Sequence, residues 1–203
     1  MMKKTVQYLI TLCCILMYHL AFGAEKSGYF SAGGLGAELG IWKPSSLDGN
    51  PSKPFKNVKG ADPYWGISFV TPSFAGFALR VALIQWQQRL TDETAQLESV
   101  TLRHLSLDLK NQIVSQARIS PYVCYGLAAI WSREKPVDVG DRKVPLDRAG
   151  YGVNVGAGLD VQALKHWAFA VEYQYLYAAF EKKVGLTDNY SGPKVSGRVM
   201  FLF

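Results

Sequence analysis

Cysteine is nearly absent from this chain: of three in 203 residues, Cys13 and Cys14 fall in an N-terminal apolar stretch, leaving Cys124 alone in the remainder. An intrachain disulfide and a thiolate metal cluster are thereby excluded from the mature domain. After the N-terminal stretch the chain has no second long apolar run, which excludes a helical membrane bundle. Charge is sparse at 19% of residues against 49% hydrophobic, too apolar a balance for a disordered chain. The net charge of +6 falls to about +4 when Lys3 and Lys4 are discounted, and it is dispersed, so nucleic acid is not an expected partner.

Lys3 and Lys4 precede the apolar stretch 6–22, and Ala21 and Gly23 put small residues where a signal peptidase reads before Ala24. Residues 1–23 are expected to be a removable signal peptide, and 24–203 a single domain. Leu12 stands where a lipidation site ahead of Cys13 requires a small residue, so both cysteines are expected to leave with the signal.

Present in quantity are glycine, with 19 residues, and aromatic side chains, at 13%. The dominant period from Ser27 to Phe203 is two, the signature of half-buried strands. Eight segments carry it. Their apolar rows are Tyr29, Leu35, Leu39 and Ile41; Trp65, Ile67 and Phe69; Phe77, Leu79, Val81 and Leu83; and Leu105, Leu107 and Leu109. They continue as Ile119, Val123, Tyr125, Leu127 and Trp131; Tyr151, Val153, Val155, Leu159 and Val161; Phe169, Val171, Tyr173, Tyr175 and Tyr177; and Val195, Val199, Phe201 and Phe203. Long connections are expected at 43–63, 88–98, 132–148 and 179–193, and short ones at 72–76, 110–117 and 162–166. Long loops thus gather at one end and tight turns at the other, as in an eight-stranded antiparallel up-and-down transmembrane β-barrel.

The opposite rows decide between a membrane barrel and a soluble one. They are mostly Gly, Ala and Ser, with no lysine in a strand centre, and suit a cramped interior better than a water-exposed surface. Their charges, Glu38, Arg80, Asp108, Asp160, Glu172 and Arg198, are of both signs and are expected to pair across the lumen, because isolated ions there would be prohibitively unfavourable. Trp42, Trp65, Trp86 and Trp131 are expected in a belt at the loop side, with Tyr29, Phe77, Trp167, Phe201 and Phe203 in one at the turn side. Strict alternation nevertheless points Trp42 and Trp86 inward, leaving either a bulge or a cap on the lumen.

The stretches Pro121-Tyr122-Val123-Cys124-Tyr125-Gly126-Leu127, Gly152-Val153-Asn154-Val155-Gly156-Ala157-Gly158-Leu159-Asp160, Ala170-Val171-Glu172-Tyr173-Gln174-Tyr175 and Val199-Met200-Phe201-Leu202-Phe203 resemble the small OmpA/OmpX-like outer-membrane β-barrel superfamily. The resemblance covers essentially the whole mature chain. It implies residence in the outer membrane of a Gram-negative-type bacterium, contact with its lipid and lipopolysaccharide, and a monomer. It also implies recognition by the barrel-assembly machinery through the C-terminal strand ending at Phe203. The periplasmic peptidoglycan-binding domain of larger relatives is not expected. Such patterns specify architecture and leave activity open.

A structural or surface-interaction role is the leading expectation, a narrow or gated channel the second, and a lipid-modifying enzyme the third. His104, Ser106 and Asp108 offer the residue types of an acyl hydrolase, yet they succeed one another at i, i+2 and i+4, roughly 7 Å per step, too far for a direct hydrogen-bonded relay. The His-x-Ser-Asn-Ala pattern of outer-membrane deacylases is missing, so no catalytic residue, metal or cofactor is assigned. Arg103 shares parity with Leu105, Leu107 and Leu109 and is expected on the lipid side. An apolar band about 25 Å tall with its lower edge near Lys110 ends close to it, where a guanidinium could meet lipid A phosphates. The remaining charges, including Lys43, Arg133, Lys135, Arg148, Lys182, Lys183 and Lys194, are assigned to the loops.

Overall fold

The computed structural model describes residues 32–45, 62–74, 76–89, 97–113, 118–136, 146–185 and 187–203. The expected signal peptide 1–23, Tyr29 and most of the long loops lie outside them. The described residues form nine strands: β1 Gly34–Trp42, β2 Asp62–Val70, β3 Phe77–Arg89, β4 Leu97–Gln112, β5 Ile119–Pro136, β6 Leu146–Leu164, β7 Trp167–Val184, β8 Thr187–Asn189 and β9 Gly192–Leu202. Eight of them form a closed antiparallel ring in which β1 pairs with β2 and β9, each later strand pairs with its predecessor, and β7 joins β6 to β9. Closure leaves no long open edge, the condition for crossing lipid with strands. The ninth, β8, is a short addition that pairs with the upper part of β7.

Alternation sets which side chains leave the barrel. Leu35, Leu39, Ile41, Ile67, Leu83, Val153, Val171, Val195 and the tyrosines 125, 151, 173 and 177 stand exposed on the outer wall, while their strand neighbours are buried. On a water-facing surface such a wall would be an aggregation site; in a bilayer it meets hydrocarbon of its own polarity. Trp167 and Phe201 pack edge to face at 5.5 Å on the turn side, and Phe69 stacks on Phe203 at 6.3 Å.

Two expectations are corrected. The connections expected at 132–148 and 179–193 are in part strand, since β5 continues to Pro136, β6 starts at Leu146, β7 runs to Val184 and β8 covers Thr187–Asn189; 137–145 and 186 lie outside the described residues. The apolar alternation ends in these strand extensions, whereas the hydrogen-bonded ladder continues with Arg133 and Lys135 outside and Ser132 and Glu134 inside. The loop-side belt is also smaller than expected: Trp65 and Trp131 point outward, but Trp42 and Trp86 are buried in the lumen. Unbroken register along β3 and β1 leaves no bulge to turn them out.

Candidate functional site: the lumen and the outer wall

The lumen is stratified. At its middle Arg80, on β3, faces Asp108, its register partner on β4, with Nη2 2.7 Å and Nε 3.1 Å from Oδ2. The same guanidinium crosses the barrel to Glu172 on β7, donating from Nη1 at 2.7 and 2.8 Å. Arg198, on β9, lies 3.5 Å from Glu172 and 3.8 Å from Glu38, its register partner on β1. Lys110 pairs with Asp160. Every one of these groups is at most 3% exposed. Neutral donors complete the carboxylates: Tyr122 donates to Glu172 at 2.6 Å, Tyr64 to Glu38 at 2.9 Å, and Asn154 to Asp108 at 3.1 Å.

Two lysines in this layer were not anticipated. Lys110 and Lys194 were assigned to a turn and a loop, but both sit in strands with their ammonium groups inside the barrel. Lys194 reaches Gln174 at 3.3 Å and His104 at 3.4 Å. The signal was present, since Lys110 shares parity with Asp108 and Lys194 with Ser196 and Arg198; each extends an inward row by one step. With them the layer holds four cations, Arg80, Lys110, Lys194 and Arg198, against four carboxylates, Glu38, Asp108, Asp160 and Glu172. The charges balance.

Glycine makes one of these contacts possible. Tyr122 on β5, Gly158 on β6 and Glu172 on β7 form one row across the sheet. A Cβ on Gly158 would stand 2.5 Å from the Tyr122 hydroxyl, so the phenol reaches β7 by lying over a residue without a side chain. Gly158→Ala is expected to displace the ring and lower stability by about 1 to 3 kcal/mol, the usual penalty for overpacking. Urea titration of the folded barrel in detergent measures it; an unchanged midpoint would mean the ring has room to move.

Apolar layers lie on both sides of the charges. Toward the loops, Trp42, Ile84, Trp86, Leu102, Ile130, Leu176, Phe180 and Tyr190 pack together; toward the turns, Val70, Ala78, Ala168, Ala170, Met200 and Leu202 do so. Trp42 and Trp86 meet at 5.2 Å, and Trp86 meets Tyr190 edge on at 6.0 Å. Tyr190 belongs to the β8 segment, which it ties down by donating to the Val184 carbonyl at 2.7 Å. Trp42 and Trp86 therefore cap the lumen.

His104, Ser106 and Asp108 all point inward and are buried. The spacing argument is corrected in one respect: Ser106 does donate to Asp108, at 3.2 Å, because both side chains lean along the strand. His104 is not the base of that pair. Its ring lies against Trp42 at 6.1 Å and beside Lys194, an arrangement of packing and charge without access for a substrate.

On the outer wall Arg103 is exposed, as β4 keeps its register with β3 and β5 through this region. Its Nε donates to Gln85 at 2.8 Å. Phe203, at the end of the closing strand, is exposed on the same wall and donates its backbone N–H to Gly33 at 3.0 Å.

No family model and no curated protein matches the chain. Among solved structures, it is similar to the N-terminal β-barrel domain of Pseudomonas aeruginosa OprF, with a TM-score of 0.54 and 14% identity over 85% of this chain and 98% of that one. Neisserial surface protein A gives 0.54 and 15% identity over 88% and 100%. The outer membrane protein OprG from Pseudomonas aeruginosa gives 0.51 and 15% over 86% and 95%. Identities this low speak to fold alone. With its apolar outer wall, the chain has the fold of the small eight-stranded OmpA/OmpX-like outer-membrane barrels.

Proposed function

We propose that this barrel is a closed, non-enzymatic structural or surface-interaction protein of the outer membrane. The observation that carries the reading is the sealing of a charge-balanced polar layer between two apolar ones. An ion entering from either end meets packed side chains first, and beyond them the charges are engaged with one another. Eight strands enclose an interior that side chains can fill, so nothing in the geometry calls for a pore.

The interaction surface in this reading is the wall that rises out of the membrane. A tilted strand needs about 9 to 11 residues to cross. β5, β6 and β7 have 18, 19 and 18, and their upper parts carry Arg133, Lys135, Asp147, Glu181, Lys182 and Lys183 on the outside. Lipopolysaccharide is the partner this collar suits, a monomer is the working state, and the C-terminal strand ending at Phe203 is the part proposed to be read by the assembly machinery.

Planar-bilayer recording tests the closed lumen. Purified barrel is expected to give no stable unitary steps, and reproducible steps from the folded, heat-modifiable species would replace this reading with the channel. Mass spectra of lipid A after overexpression address the enzyme; an altered acyl pattern would reject the non-catalytic role.

A further inference from the structure

On the outer wall, across β4, β5 and β6, lies a cleft of about 310 Å³ lined by Thr101, Arg103, Trp131, Arg133, Asp147 and Arg148 among others, the last already engaged by Glu134 and the Lys183 carbonyl. In the register of these strands Arg103 faces Trp131 and Thr101 faces Arg133, so the two arginines are diagonal neighbours on one face. Diagonal positions lie roughly 7 to 8 Å apart, a separation at which two guanidinium forks can close on one tetrahedral anion.

Both arginines are poised for such an anion. Arg103 is anchored through Nε to Gln85, and its two terminal amino groups have no hydrogen-bond partner among the described residues. Among the described residues Arg133 is paired with Asp147 at 3.9 Å, and those side chains are 65% and 75% exposed. A pair so open to solvent contributes little and exchanges readily. The Thr101 hydroxyl adds a neutral donor, and the Trp131 ring an apolar floor.

Depth identifies the source of the anion. Trp131, the register partner of Arg103 on β5, lies close to it in depth on the outside of the wall, and tryptophan favours the membrane interface. Arg103 is eight residues along β4 from Asn111 at the turn side, or about 20 Å along the membrane normal at about 3.3 Å per residue and a tilt near 40°. The cleft therefore opens at the upper edge of the apolar band, where lipid headgroups begin.

We infer that this cleft binds the phosphate of a glycolipid headgroup in the outer leaflet, clamped between Arg103 and Arg133. The inference rests on the barrel being embedded in that membrane, and it gives the proposed surface role a defined site. On binding, Arg133 exchanges the Asp147 carboxylate for the phosphate.

The test uses full-length mature barrel folded in detergent, with retained lipid read by native mass spectrometry and the thermal midpoint read in parallel. The probes are bisphosphorylated lipid A, the same lipid dephosphorylated, and inorganic phosphate. The wild type is expected to retain the bisphosphorylated form selectively. Arg103→Gln with Arg133→Gln should weaken it about tenfold or more, as expected for lost charge-assisted hydrogen bonds. Asp147→Asn, which removes the competing carboxylate, should strengthen it. All variants lie on an exposed surface, and unchanged heat-modifiable mobility verifies folding. Equal retention by wild type and double variant overturns the site, and inorganic phosphate matching lipid A overturns the lipid assignment. Conductance in the bilayer experiment would sink the closed-barrel role and leave this result standing.

Discussion

Replacing Arg80 by alanine is expected to destabilise the folded barrel by about 3 to 5 kcal/mol, the range for removing one partner of a buried ion pair. Arg80 is 2% exposed and serves two carboxylates, Asp108 and Glu172, so its loss strands negative charge on both sides of the lumen. The two are not equally vulnerable. Glu172 keeps Arg198 and the Tyr122 hydroxyl, whereas Asp108 keeps, among the described residues, the neutral donors Ser106 and Asn154. Glu172→Ala should therefore be milder, because Arg80 retains Asp108. In the double variant the two losses share one broken contact, and a coupling of about 0.5 to 3 kcal/mol is expected between them. Urea unfolding of the four proteins in lipid vesicles completes the cycle, and small, strictly additive effects would reject a connected network.

The contrast between what alternation revealed and what it hid has a physical basis. Which face each residue occupies is a local property with period two, so Glu38, Arg80, Asp108, Asp160, Glu172 and Arg198 could be placed on one face from their neighbours alone. Their partners depend on register. Glu38 meets Arg198 only because the first strand closes against the last, and Arg80 reaches Glu172 across a separation of 92 residues. Nothing in the local pattern of either segment encodes that meeting. Lys110 and Lys194 were missed because a lysine near a strand end resembles a loop residue, although each obeys the parity of its strand. The upper parts of β5 to β7 were missed for a related reason: once outside lipid, the ladder no longer needs an apolar row to persist. Arg103 was legible as an outward residue, but its cleft required the pairing of Trp131 and Arg133 against β4.

Trp86→Ala is expected to cost about 3 to 5 kcal/mol, the range for truncating a buried aromatic side chain. Its indole is 1% exposed and stands between Trp42 and Tyr190, so the substitution removes the centre of the loop-side cap. The closed ring of strands resists collapse onto the space, because its circumference is set by hydrogen-bonded pairs and not by the filling. The consequence should be local as well as global. Tyr190 loses one of its two aromatic walls, keeping Phe180 at 5.8 Å, and the β8 segment that it anchors should open more often. Trypsin cleavage at Lys182 or Lys183 is then expected to accelerate relative to wild type. Trp86→Phe, which retains a ring, should recover most of the stability and protection. Bilayer conductance should stay silent in both variants, since the charge layer and the turn-side apolar layer remain below the cap. Unitary steps in Trp86→Ala alone would show that the cap is the sole seal, and unchanged stability with unchanged proteolysis would show that the indole does not hold the mouth closed.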